Sequence, residues 1–529
     1  MNSIFHSLIW KDWHEHKWKL AALVATLTGV AACMLINRGT DTFFAIRITL
    51  AFCIVPLAIF VGLNSAAGER SSGTLSFLQA LPIPTRRVAL HKFMAGLTTV
   101  VASVVVTLLI LYIAQMCLAL FGIDCGKSVQ TGARSDGAFT FRINNWFLDS
   151  GLVLSFLGIS FYTWSASTGV NRKDEISAGA VALVIMVMWC IAVAYISLWI
   201  LRFGALPGNN FAAWATWPVA LTSATVPGGL LTTASMSWQY QIDFIGVAIG
   251  VAAATHLALA AWYIWRFGRI SNVEVHSPQP VSRSGERSAW LGPPRRSTLT
   301  AIAWKQARES GPILLAGLAG IVAIVGAVLV SVWIDRGAAP PSITDIGDVY
   351  RAVAIVLGFV MSLVIGIGVA FYDVRPTINT FWRSRPINPN TWFWCKYITA
   401  MIVLLATIYV PILLIMGPGG ISGREVMSDP IVIVLAQIAL CSAAVATTCL
   451  FRNAIYAAIL SIPLVYLGVI VVWLALVIGK LTGWQTRAPN RFWDMSTNQV
   501  AIGLILSIAT SAILAWLAVR NDWGRKSRY

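Results

Sequence analysis

The chain has 529 residues, is 57% hydrophobic and only 11% charged, and has a mean hydropathy of +0.75. Soluble domains carry about 25% charged residues, so this composition excludes an ordinary soluble protein and indicates a polytopic membrane protein. The net charge of +17 raises nucleic acid as a partner, a reading that the placement of the charges removes below.

In chain order, residues 3–19 come first. Phe5, Ile9 and Trp13 recur at helical spacing, and Lys11, Asp12, Glu15 and Lys19 add charge. This predicts an amphipathic helix lying in the membrane interface. His14 and His16 are two apart and point to different sides of such a helix, which disfavours a metal site. Apolar runs then predict twelve spans, near 20–37, 46–66, 93–121, 150–169, 177–201, 243–265, 312–334, 350–372, 397–416, 430–450, 454–478 and 499–519. Each is close to the roughly 20 residues that a helix needs to cross the hydrocarbon core. The expected fold is therefore all-α.

With the N-terminus inside, 26 of the 38 Lys and Arg residues fall in cytoplasmic segments. Acidic residues divide almost evenly between the two sides, so the inner side is strongly positive and the outer side nearly neutral. That asymmetry places both termini in the cytoplasm. Basicity here orients the chain against anionic membrane lipid and does not indicate nucleic acid. Cys117 and Cys125 are the one pair placed for an outer disulfide, and no paired spacing recurs to support it.

Residues 267–299 are polar, basic and rich in Pro, Gly and Ser, which reads as a flexible cytoplasmic linker. It divides the chain into two six-span units, 1–266 and 300–529. A shift of 304 positions superimposes Glu69 on Asp373, Phe77 on Phe381, Pro82 on Pro386 and Lys92 on Lys396. Trp10-Lys11 corresponds to Trp304-Lys305, and Arg172 to Arg452. Matches at equivalent places predict a parallel repeat. The outer segment 202–242 is too apolar for a free loop and too broken for a span. Re-entrant helices capping the outer mouth and an ordinary folded surface loop both fit it. Its counterpart is 479–498.

The spans carry almost no titratable chemistry. His256 is the one ionisable residue well inside a predicted span, and helix packing accounts for it more simply than proton coupling. Phe121 to Ser128 mimics a phosphate-binding loop, but Phe121 stands where that pattern requires Gly. With no engine in the chain, the polar segment 67–92 reads as a docking element for a soluble partner. Glu69 is placed to pair with a basic residue of the loop or of that partner, and Leu81-Pro82-Ile83-Pro84 ends a short helix.

At these residues the sequence resembles the permease of an ABC-2-type exporter. The resemblance rests on Glu69…Gly73-Thr74-Leu75, Leu81-Pro82-Ile83-Pro84 and Lys92, and on Trp304-Lys305-Gln306-Ala307-Arg308-Glu309. It implies a transmembrane subunit, without an ATPase site of its own, in the cytoplasmic (inner) membrane of a bacterium. ATP and Mg would bind a separate ATP-binding cassette subunit, two copies of which would dock on the loops 67–92 and 373–396. The implied coupling residues are Glu69, Arg70, Gly73, Thr74, Leu75, Pro82 and Lys92, with Asp373, Phe381, Pro386 and Lys396 in the second unit. In the second loop Thr377-Ile378 replaces Gly73-Thr74, so the two docking surfaces are expected to differ. Export by alternating access of a hydrophobic or amphipathic cargo is the implied function. An ion-coupled secondary carrier and a non-transporting membrane scaffold or sensor are the rival readings.

Overall fold

The computed structural model describes residues 17–31, 42–71, 75, 83–120, 129–133, 139–143, 146–172, 175–203, 205–206, 210–211, 213–231, 233, 245–269, 297–335, 343–374, 388–416, 428–481 and 495–524. A helix covers the described part of every stretch expected to cross the membrane. Helix α1 occupies 17–31, followed by α2 (Thr42–Ser71), α3 (Thr85–Leu120), α4 (Trp146–Gly169) and α5 (Glu175–Phe203). A short α6 (Ala213–Ser223) precedes α7 (Ile245–Arg266). The C-terminal part contains α8 (Thr298–Asp335), α9 (Ile343–Val374), α10 (Pro389–Met416), α11 (Ser428–Phe451), α12 (Ala454–Leu481) and α13 (Thr497–Gly524).

Among the described residues, eight helices are long and apolar enough to cross a membrane, within α2, α3, α4, α7, α10, α11, α12 and α13. The protein is thus a helical integral membrane protein. Helix α3 has 36 residues, a length of about 54 Å at 1.5 Å per residue, so it tilts or protrudes. The expected all-α class holds, and among the described residues two small antiparallel hairpins accompany the helices. One pairs Val129–Ala133 (β1) with Phe139–Ile143 (β2), and the other pairs Ala205–Leu206 (β3) with Asn210–Phe211 (β4). The first is rich in β-branched and aromatic residues that suit a strand, Val129, Thr131, Phe139, Phe141 and Ile143 among them. Residues 3–16 of the expected interfacial helix, 270–296 of the expected linker and 482–494 of the expected outer segment lie outside the described residues. Cys117 is a free thiol, and Cys125 also lies outside them.

Lipid offers helices no hydrophobic drive to associate, so small residues that allow close approach decide the packing. Helix α2 crosses α4 at Gly62, where an added Cβ would lie 2.1 Å from Ser165 Oγ and 2.7 Å from the Tyr162 carbonyl. Helix α9 crosses α11 at Gly366, where a Cβ would lie 2.6 Å from the Cys441 carbonyl. The N- and C-terminal parts also pack on each other, through α12 against α2 and α5 against α8. Leu23, Leu57 and Ala58 share one core with Ile367, Ala457 and Ile459, all nearly or fully buried. Thr26 donates to the Ile459 carbonyl across this contact at 3.5 Å.

Candidate functional site

The segment 67–92 enters from the end of α2 and leaves along α3. At its base Glu69 and Lys92 form an ion pair with side chains only 10% and 12% exposed. Burying two charges is costly unless they are paired, so each fixes the other. The neighbouring Arg70 donates to the Asn171 carbonyl. Asn171 follows the end of α4 with φ of 66°, a conformation that Asn adopts more readily than most residues. That turn aims its amide at α7, where Nδ2 donates to the Arg266 carbonyl at 2.6 Å and the Arg269 carbonyl at 3.1 Å.

One turn deeper, Tyr162 of α4 donates its hydroxyl to the Phe93 carbonyl of α3 at 2.7 Å. Tyr263 of α7 donates to the Ser65 carbonyl of α2 at 2.7 Å. The Phe93 ring lies 5.2 Å from that of Tyr162 and 5.3 Å from that of Tyr263. Four helices are therefore joined into one polar and aromatic knot where the loop begins and ends. Leu75, just inside the loop, is buried in the adjoining core.

The C-terminal part builds a counterpart from different residues. Asp373, at the end of α9, pairs with Lys396 of α10 and, at 2.8 Å, with Lys305 of α8. Lys396 also donates to the Val369 carbonyl at 2.9 Å, and Lys305 reaches Glu309 at 3.2 Å. The Asp373 and Lys396 side chains are 1% and 3% exposed. Burial alone would raise the Asp373 carboxyl, yet Lys396 and Lys305 outweigh it and hold the group below its ordinary value. Tyr397 bonds Ser442 of α11 at 2.6 Å, so α10 and α11 are tied here as α3 and α4 are above.

Among the sequence-predicted residues, Glu69, Arg70, Leu75, Lys92, Asp373 and Lys396 are described. Gly73, Thr74, Pro82, Phe381 and Pro386 lie outside the described residues. Glu69 takes the first of its two expected partners, a lysine of its own segment. Tyr162, Asn171 and Tyr263 have no counterpart in the motif reading. The signal for them was weak: polar residues set near the ends of apolar runs.

The described part of 202–242 holds a second constellation. After α6 the chain turns through Gly228, at φ of 74°, whose N–H donates to Ser160 Oγ of α4 at 3.0 Å. His256 of α7 places Nε2 2.9 Å from the same oxygen and Nδ1 2.6 Å from the Ala252 carbonyl. A carbonyl only accepts, so Nδ1 carries a proton, and in the neutral ring Nε2 accepts from Ser160. Ser160 lies nine residues before the end of α4, about 14 Å along the helix. The turn therefore packs beside the middle of α4 rather than beyond its end. Among the described residues, no three His, Cys, Asp or Glu side chains gather as metal ligands. Compared with family models and with curated proteins, the chain matches none.

Proposed function

We propose that the chain is the transmembrane permease of an ATP-driven exporter of ABC-2 type, built as two parallel six-span units. The observation that carries this reading is the recurrence of one device at one place. Glu69–Lys92 and Asp373–Lys396, separated by the same shift of 304 positions, each brace the two helices that flank a polar segment. The crossing glycines Gly62 and Gly366 keep the same shift, and residues of positive φ, Asn171 and Arg452, follow the fourth helix of each unit. A braced segment transmits a push to its helices, whereas a floppy one absorbs it. Separate ABC ATPase subunits, binding ATP and Mg, would supply that push from the cytoplasm. The two units would then rock about the contacts of α12 with α1 and α2 and of α5 with α8. The cargo would be hydrophobic or amphipathic, moving between the two units.

Affinity purification of the tagged chain from its native host tests the reading. An ATP-hydrolysing polypeptide without membrane spans should copurify. If stringent and mild solubilisation both yield the chain with no such companion, the reading fails.

A further inference from the structure

At the same end of the N-terminal unit the structure holds a feature that the transport reading does not use. Helix α7 is the least buried of the eight apolar spans, with only 11% of its apolar window buried by protein, so its outer face meets lipid. At its end Trp262 and Trp265 are 45% and 44% exposed, with ring centroids 5.5 Å apart. The Arg266 guanidinium stacks 4.8 Å from the Trp262 ring, and that of Arg269 lies 4.3 Å from the Trp265 ring. Among the described residues neither guanidinium meets a carboxylate, while Arg70 donates to the carbonyl of Asn171, which grips this turn, and the exposed Arg172 follows Asn171 in the chain.

The backbone beneath the two arginines is held. Phe267 N–H bonds the Tyr263 carbonyl at 2.8 Å, Arg269 N–H bonds the Arg266 carbonyl at 3.0 Å, and Gly268 takes φ of 70° to close the turn. A guanidinium stacked face-on against indole keeps its N–H edge free for bidentate contact with phosphate oxygens. Exposed tryptophan on the lipid-facing helix sets the depth at the headgroup zone. We propose that Arg266 and Arg269 form a binding site for the phosphate of an anionic phospholipid in the adjoining leaflet. Lipid, rather than a soluble phosphate, is the occupant because the cations sit on the lipid-facing helix and not over a cavity.

The test is native mass spectrometry of the full-length chain in detergent, titrated with phosphatidylglycerol or phosphatidylcholine. Phosphatidylglycerol should bind the more tightly. Arg266→Gln with Arg269→Gln should weaken it about thirtyfold, while Arg520→Gln, the matching arginine stacked on Trp516 in the C-terminal unit, should change it less than about threefold. Arg266→Lys with Arg269→Lys keeps both charges but not the stacked, bidentate fork, so it should recover only part of the affinity, which separates lost charge from a folding defect. The inference is overturned if both lipids bind alike, if the glutamine pair binds like wild type, if Arg520→Gln costs as much, or if inorganic phosphate displaces the lipid at equal concentration.

Discussion

Replacing Lys396 by Met tests the physics of the braces most sharply. Methionine keeps the length of the apolar stem and removes only the ammonium. Asp373, 1% exposed, then keeps Lys305 at 2.8 Å but loses its better-buried partner. Breaking a buried pair from one side typically costs 3–5 kcal/mol. Lys305 is 31% exposed and itself shared with Glu309, so it offsets part of this, and a loss of about 3 kcal/mol is expected. The double variant Asp373→Leu with Lys396→Met removes both charges and should recover most of that loss, because well-packed apolar replacements for a buried pair are often neutral. Reversible chemical unfolding in bicelles gives both numbers. A Lys396→Met variant within about 0.5 kcal/mol of wild type, or a double variant less stable than the single one, would refute the brace as a buried, mutually dependent pair.

Four further outcomes follow from the same geometry. Because the folded Asp373 carboxyl lies below its ordinary value, its contribution is complete above an unfolded value of about 3.9 and is lost as pH falls through the depressed one. The stability gap between wild type and the double variant Asp373→Leu with Lys396→Met, which leaves no stranded lysine, should therefore lose its Asp373 contribution only below about pH 4; a contribution lost between about pH 5 and 7 would count against this. Gly366→Leu should separate α9 from α11 and lower the melting temperature, since the nearest obstacle is the Cys441 backbone carbonyl, whereas Gly320→Leu meets open space and should be mild. Tyr162→Phe removes the hydroxyl bond to the Phe93 carbonyl, which keeps its own helical donor within α3, and should cost about 0.5–1.5 kcal/mol, read by the same unfolding assay. Protease added from the cytoplasmic side only should cut within 267–299, and cleavage from outside would invert the proposed orientation.

The helical body was legible in the sequence because a span announces itself by length and apolarity alone. Every expected span carries a helix over its described residues, including α3, whose excess length was visible as a long apolar run. The base of the first segment was half legible. The acid and the lysine stood out at Glu69 and Lys92, but nothing in a linear pattern says that they meet across 23 positions. The extra cation on Asp373 was less visible still, because Lys305 comes from a different helix, 68 residues away. The tyrosines of the knot were hidden for another reason. A Tyr inside an apolar run looks like any aromatic until a carbonyl of a neighbouring helix is seen within 2.7 Å of its hydroxyl. Gly62 and Gly366 were lost among the glycines common to membrane helices, and only the backbone approach picks them out.

Charge exchange across the first brace, in the complex with the proposed ATPase, tests the central claim most directly. The measurement is the rate of ATP hydrolysis that copurifies with wild type, with Glu69→Lys, with Lys92→Glu and with both together. If the pair holds the segment through which a partner bends the helices, each single variant should lose stimulated hydrolysis while keeping the partner bound. The double exchange, which restores attraction across α2 and α3, should regain it. Unchanged hydrolysis in both single variants would contradict the account.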